Sequence, residues 1–88
     1  MTMNGAILLE AHALINANRQ KDYGSPAENF ARVAQMWSMY LGIPVTASDV
    51  CICMALLKLG REANRHKHDN LLDAAAYVAL ASDMEGGK

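Results

Sequence analysis

Lys58 interrupts a long apolar run, and Arg61 and Arg65 follow it on the same side of a helical pattern. With His66, Lys67 and His68, the segment from Lys58 to His68 concentrates positive charge in a chain whose formal net charge is −1. Lysine and arginine in this arrangement suit a phosphate group, lysine as a point charge and arginine as a bidentate donor. The same residues also suit a solvated helix end, where cations complement the macrodipole. Asp73 lies one turn after Asp69 and one turn before Tyr77, on a face shared with Ala76 and Leu80. A carboxylate at such a half-covered boundary needs a partner, and Lys58, Arg61 or a metal ion are the candidates. Lys58 and Asp73 can equally satisfy each other, and an aspartate in a first turn favours the helix dipole with no site at all.

A third cluster is the connection Arg19-Gln20-Lys21-Asp22-Tyr23-Gly24-Ser25, which leads into a helix bearing Glu28 and Asn29. The start of that helix offers free amides and positive potential, while Arg19, Lys21 and the ring of Tyr23 could hold a phosphate and stack a base. The plainer alternative is a helix-helix turn with Tyr23 packed on the bundle. His66 and His68 have a spacing that diverges on a helix, and His12 falls on a helix flank, so none of the three reads as a metal ligand. Cys51 and Cys53 point about 200° apart on a helix, which excludes a disulfide between them and makes both small buried apolar residues. Met36, Met39 and Met54 read as core filler. No Ser-His-Asp order, nucleophile elbow or glycine-rich phosphate loop is present.

Four helices must position these groups, over about residues 5–20, 26–41, 47–64 and 70–84. In the second, Ser25-Pro26-Ala27-Glu28 forms a capping box with proline at the first helical position, and Gly42 ends the helix. Phe30, Val33, Ala34, Trp37, Tyr40 and Leu41 are its expected inner stripe. Thr46 and Asp49 start the third, whose run from Val50 to Leu59 is apolar on every side except at Lys58. That pattern predicts a central helix buried all round, with Gly60 either a close helix crossing or an early end. The first helix should turn Ile7, Leu8, Ala11, Leu14 and Ile15 inward. The last, capped by Asp69 or Asn70, should pack through Leu71, Leu72, Ala75, Val78, Ala79 and Ser82.

With 88 residues the chain is one domain at most, and 52% apolar content exceeds what so small a domain can cover by folding on itself. An all-α, four-helix bundle-like protomer that assembles into a homo-oligomer is therefore expected. No apolar stretch is long enough to span a membrane, and the N-terminus has neither a basic leader nor a cleavage site, so a cytoplasmic protein is expected. The charge balance argues against binding duplex nucleic acid.

Asp22-Tyr23-Gly24-Ser25-Pro26-Ala27-Glu28-Asn29-Phe30, followed by Trp37, Tyr40-Leu41, Asp49-Val50, Leu57-Lys58, Arg61 and Asp73-Ala74-Ala75-Ala76-Tyr77, resembles a family of short proteins encoded by tailed phages and prophages. The resemblance covers about residues 16–82. That family in turn is distantly similar to the MazG-type all-α nucleotide pyrophosphatases, helical oligomers that bind magnesium and a nucleoside triphosphate. The shared look is a lysine-bearing core helix followed by a helix with paired acids and D-x-x-x-Y. The resemblance implies a later acidic set at Asp69 and Asp73. The earlier E-x-x-E pair of those enzymes is missing, because Ala31 and Arg32 stand where an acid should follow Glu28, and Glu10 has no acidic mate. The phosphate-binding side, Arg19, Lys21, Lys58 and Arg61, is intact.

Three readings follow. The leading one is a phage-type protein that binds a phosphorylated nucleotide through Arg19, Lys21, Tyr23, Asn29, Lys58, Arg61 and Tyr77. It would sequester a nucleotide signal of host antiviral defence without hydrolysing it, and would need no cofactor. The second is a magnesium-dependent pyrophosphohydrolase with Glu28, Asp69 and Asp73 on the metal. The third is a protein-protein interaction module.

Overall fold

The computed structural model describes residues 4–17 and 25–85. It is all-α: α1 spans Ala6–Ile15, α2 Pro26–Leu41, α3 Ala47–Asn64 and α4 His68–Glu85, with no strand among the described residues. At the start of α2 the Ser25 hydroxyl accepts from the Glu28 amide at 3.1 Å, and Pro26 supplies the preset φ of the first turn. Gly42 ends that helix in the left-handed conformation (φ 73°), which only glycine adopts without cost, and its amide donates to Ser38 O. The capping box of α3 is complete: Thr46 Oγ1 accepts from the Asp49 amide at 3.0 Å, and Asp49 Oδ2 accepts from the Thr46 amide at 2.9 Å.

Two of the expected helix ends differ. The helix expected to reach residue 20 stops at Ile15, where Asn16 turns its side-chain amide back to donate to His12 O at 2.8 Å. Asparagine's short amide competes with the backbone for helical carbonyls, which makes it a terminator here. The last helix starts at His68, so Asp69 and Asn70 lie inside its first turn instead of capping it. The carboxylate of Glu62 supplies a terminus instead, accepting from the Lys67 amide at 3.0 Å.

α3 and α4 form the main layer as an antiparallel pair. Their register is fixed by Lys58 opposite Asp73, Ser48 Oγ donating to Ala81 O, and Cys51 Sγ against Met84 Sδ. α1 packs on α4 and α2 on α3. Phe30 of α2 and Tyr77 of α4 meet edge to face, 6.1 Å between ring centres. Ser38 secures the α2 to α3 connection by accepting from the Val45 amide at 2.9 Å and donating to Ala34 O at 2.8 Å.

Among the described residues the buried apolar side chains are small, six alanines with Val50 and Cys51, and Ser48 and Asn70 are buried beside them. This reverses the expectation for α3. Within one chain it is enclosed on one side only, through Ser48, Val50, Cys51 and Ala55, while Ile52, Leu56, Leu57 and Leu59 are exposed. Cys53 is likewise exposed, in contrast to Cys51. Leu8, Tyr40, Leu41, Leu71 and Val78 also point outward, as do Met36 and Met39, which read as core filler. The inner side of α4 runs instead through Asn70, Ala74, Ala76 and Ala81. Close helix-helix approach selects alanine at the contact line and displaces the larger neighbours to the flanks, so a pattern read by hydrophobicity alone is rotated.

Candidate basic cleft at the α3 to α4 turn

Lys58 and Asp73 satisfy each other, Nζ to Oδ2 3.1 Å, with side chains 18% and 31% exposed. The antiparallel register that brings Ala55 against α4 carries Lys58 to the level of Asp73. Lys58 is thereby engaged by Asp73 and is not among the residues that line the cleft beside it. One turn on, Arg61 of α3 and Arg65, the residue that ends it, border with Lys67 of the connecting turn an open cleft of about 650 Å3. Leu57, Gly60, Asn64 and Asn70 complete its lining. Among the described residues no carboxylate pairs with the side chains of Arg61, Arg65 or Lys67.

The nearest acid, Glu62, is committed elsewhere. His66 Nδ1 bonds its Oε2, the Lys67 amide donates to Oε1, and Asn70 Nδ2 donates to Oε1 at 3.4 Å. These bonds, His66 first and the Lys67 amide second, hold the Glu62 carboxyl below its ordinary range against a small opposing effect of burial. Asn70 is itself buried and also donates to Arg65 O at 3.3 Å, so the turn that carries the cations is tied down from beneath. The arrangement is a cationic rim around a concavity, carried on a hydrogen-bonded turn and suited to a multiply charged anion. A second tie joins α1 to α4: His68 Nε2 bonds Glu10 Oε2, and this bond, then the carboxylate's charge, raises the His68 pKa.

The remaining expected site residues are dispersed. Arg19, Lys21 and Tyr23 lie outside the described residues. Asn29 is in the first turn of α2, its amide bonded to Ser25 O, and Tyr77 is the packing partner of Phe30. Glu28 is exposed in the first turn of α2, Asp69 is exposed in the first turn of α4, and Asp73 is held by Lys58. Among the described residues no group of three or more His, Cys, Asp or Glu side chains could hold a metal ion, and Glu28, Asp69 and Asp73 are not brought together as one set. The Glu62 and Asn70 network was not anticipated from sequence. Glu62 and His66 have the i, i+4 spacing that signals half of it, whereas the Asn70 contribution depends on the turn geometry.

Residues 6–85 match the family model of a domain of unknown function, DUF6378. The chain is also similar to two mycobacteriophage proteins. It is 37% identical over 82 residues to the Gene 55 protein of Mycobacterium phage L5, covering 91% of this chain and 53% of that protein. It is 40% identical over 77 residues to the Gene 55 protein of Mycobacterium phage D29, covering 86% of this chain and 51% of that protein. The chain thus spans about half the length of these relatives. No solved structure matches it. No helix among the described residues is long and apolar enough to cross a membrane.

Proposed function

The chain belongs to the DUF6378 family, which has relatives in mycobacteriophages, and from that premise we propose that it binds a phosphorylated nucleotide at the basic cleft without hydrolysing it. The observation that carries this reading is the rim of Arg61, Arg65 and Lys67, three cations without a carboxylate partner among the described residues around a concavity of about 650 Å3. That volume lies within the roughly 300–1,000 Å3 of small-molecule sites. The two arginines present planar donor forks to phosphate oxygens, Lys67 adds charge, and the Asn64 side chain offers a donor and an acceptor to a base edge.

Two further considerations support binding over turnover. In-line attack on a triphosphate calls for several carboxylates on magnesium, and the described acids are dispersed or paired. A phage protein that holds a nucleotide without consuming it acts by lowering its free concentration, and the signalling nucleotides of host antiviral defence are ligands for which that is sufficient. The role proposed is sequestration.

A thermal-shift panel of nucleoside mono-, di- and triphosphates, cyclic di- and trinucleotides and ADP-ribose, each with and without magnesium, tests it. The expected result is a magnesium-independent rise in melting temperature with the ligand recovered unchanged. Release of pyrophosphate would establish the hydrolase instead, and a flat panel would leave neither nucleotide reading standing.

A further inference from the structure

We propose that a second copy of this chain covers the back face of α3, the stripe of Cys53, Leu56, Leu57, Gly60 and Ala63, as an antiparallel helix pair. These residues follow the i, i+3, i+4, i+7 spacing of a packing face, yet all five are exposed in the single chain. Gly60 lies about 180° around the helix from the buried Cys51, nine residues on at roughly 100° each. A β-carbon added at Gly60 would meet nothing within 4 Å, and Gly60 has no positive φ. Nothing among the described residues therefore requires a glycine there, where it weakens the helix relative to alanine. A glycine facing outward from an apolar stripe is explained by the close approach of another backbone.

The apolar side chains left exposed on the described residues are the kind of surface that a stable self-association buries. Among the described residues thirteen large apolar side chains are exposed, while Val50 and Cys51 are the largest that are fully enclosed, so the single chain encloses only a small core. A second copy extends that core symmetrically, because a two-fold contact uses the same patch twice. With the axis near Leu56 and Leu57, Cys53 of one copy faces Gly60 of the other, and the small residues let the helices close. Asp49 at the start of one stripe then lies toward the cationic end of the other. Leu57 and Gly60 also line the basic cleft, so the second copy walls it from one side.

The test is the mass of the protein in solution without any nucleotide, which keeps it independent of the binding proposal. Sedimentation of the wild type at tens of micromolar should give an even multiple of 9.5 kDa, and Leu56→Asp should weaken the association by at least about tenfold, since it sets charge against charge across the axis. Gly60→Ala, which favours the helix itself, should weaken the association while raising helicity. Alkylation of wild-type Cys53 should slow as protein concentration rises through the dissociation constant, a readout that needs no variant. A 9.5 kDa species at all concentrations, or an association unchanged by both substitutions with Cys53 labelled at a concentration-independent rate, would overturn the proposal.

Discussion

The Lys58 and Asp73 pair separates a structural reading of the helix interface from a functional one. At 3.1 Å two unit charges attract by about 5 kcal/mol at an effective dielectric of about 20 and by about 1.3 kcal/mol in bulk water. The side chains, 18% and 31% exposed, lie between these limits, and desolvation of both charges offsets most of the gross attraction. A coupling of about 1–2 kcal/mol remains, above the roughly 0.2–1 kcal/mol of exposed pairs. Lys58→Met and Asp73→Ala should each destabilise by about 1–2 kcal/mol, and the double variant by about that coupling less than their sum. For a chain of this length each kcal/mol moves Tm by about 4–8 °C, so calorimetry at one fixed protein concentration resolves all three variants. Because Asp73 already neutralises Lys58, Lys58→Met should leave nucleotide affinity within about twofold, far below the cost of losing a charged hydrogen bond. Strictly additive stabilities would refute the ion-pair argument. A large loss of affinity in Lys58→Met would return Lys58 to the ligand.

The remaining predictions concern the frame. Thr46→Ala removes one arm of the complete capping box of α3 and should cost about 0.5–2 kcal/mol, read as a lower Tm. Ser38→Ala leaves the half-buried Val45 amide without its acceptor and should cost about 1–3 kcal/mol in denaturant unfolding. The His68 bond to Glu10 contributes stability that is complete below the ordinary imidazole value of 6.5 and lost as pH rises through the higher folded value. Glu62, whose folded value is lowered, contributes stability present above its ordinary value of 4.5 and lost as pH falls through the folded one. Hydrogen exchange of α1 amides, corrected for intrinsic rate, should accelerate as pH rises past the ordinary imidazole value of 6.5 in the wild type and lose that pH dependence in His68→Gln. An unchanged profile in that variant would exclude the tie.

Helices α2 and α3 were legible because their punctuation is local: Ser25-Pro26, Gly42 and Thr46 with Asp49 act within one turn of themselves. The end of α1 and the start of α4 were not, since Asn16 and Glu62 terminate helices through bonds whose partners depend on how the chain turns. Burial was misread for a different reason. Hydrophobicity ranks leucine above alanine, but the α3 to α4 contact is close enough to select Ala55, Ala74 and Ala81, and Leu56 and Leu59 are left outside. The excess of apolar residues that suggested an oligomer and the exposed back face of α3 are thus one property seen twice. At the site, the cationic segment from Lys58 to His68 was legible as a run, but its division was not. Only the antiparallel register shows that Lys58 belongs to Asp73 while Arg61, Arg65 and Lys67 belong to the cleft.

The most direct test of the central claim is calorimetric titration of cyclic dinucleotides and nucleoside triphosphates into wild type and into the Arg61→Ala/Arg65→Ala double variant, in two salt concentrations. The account predicts saturable binding by the wild type that weakens with salt, and a loss of at least about tenfold in the double variant, since each charged hydrogen bond contributes about 1.5–3 kcal/mol. Equal affinity in the two proteins, or no binding by the wild type, would contradict it.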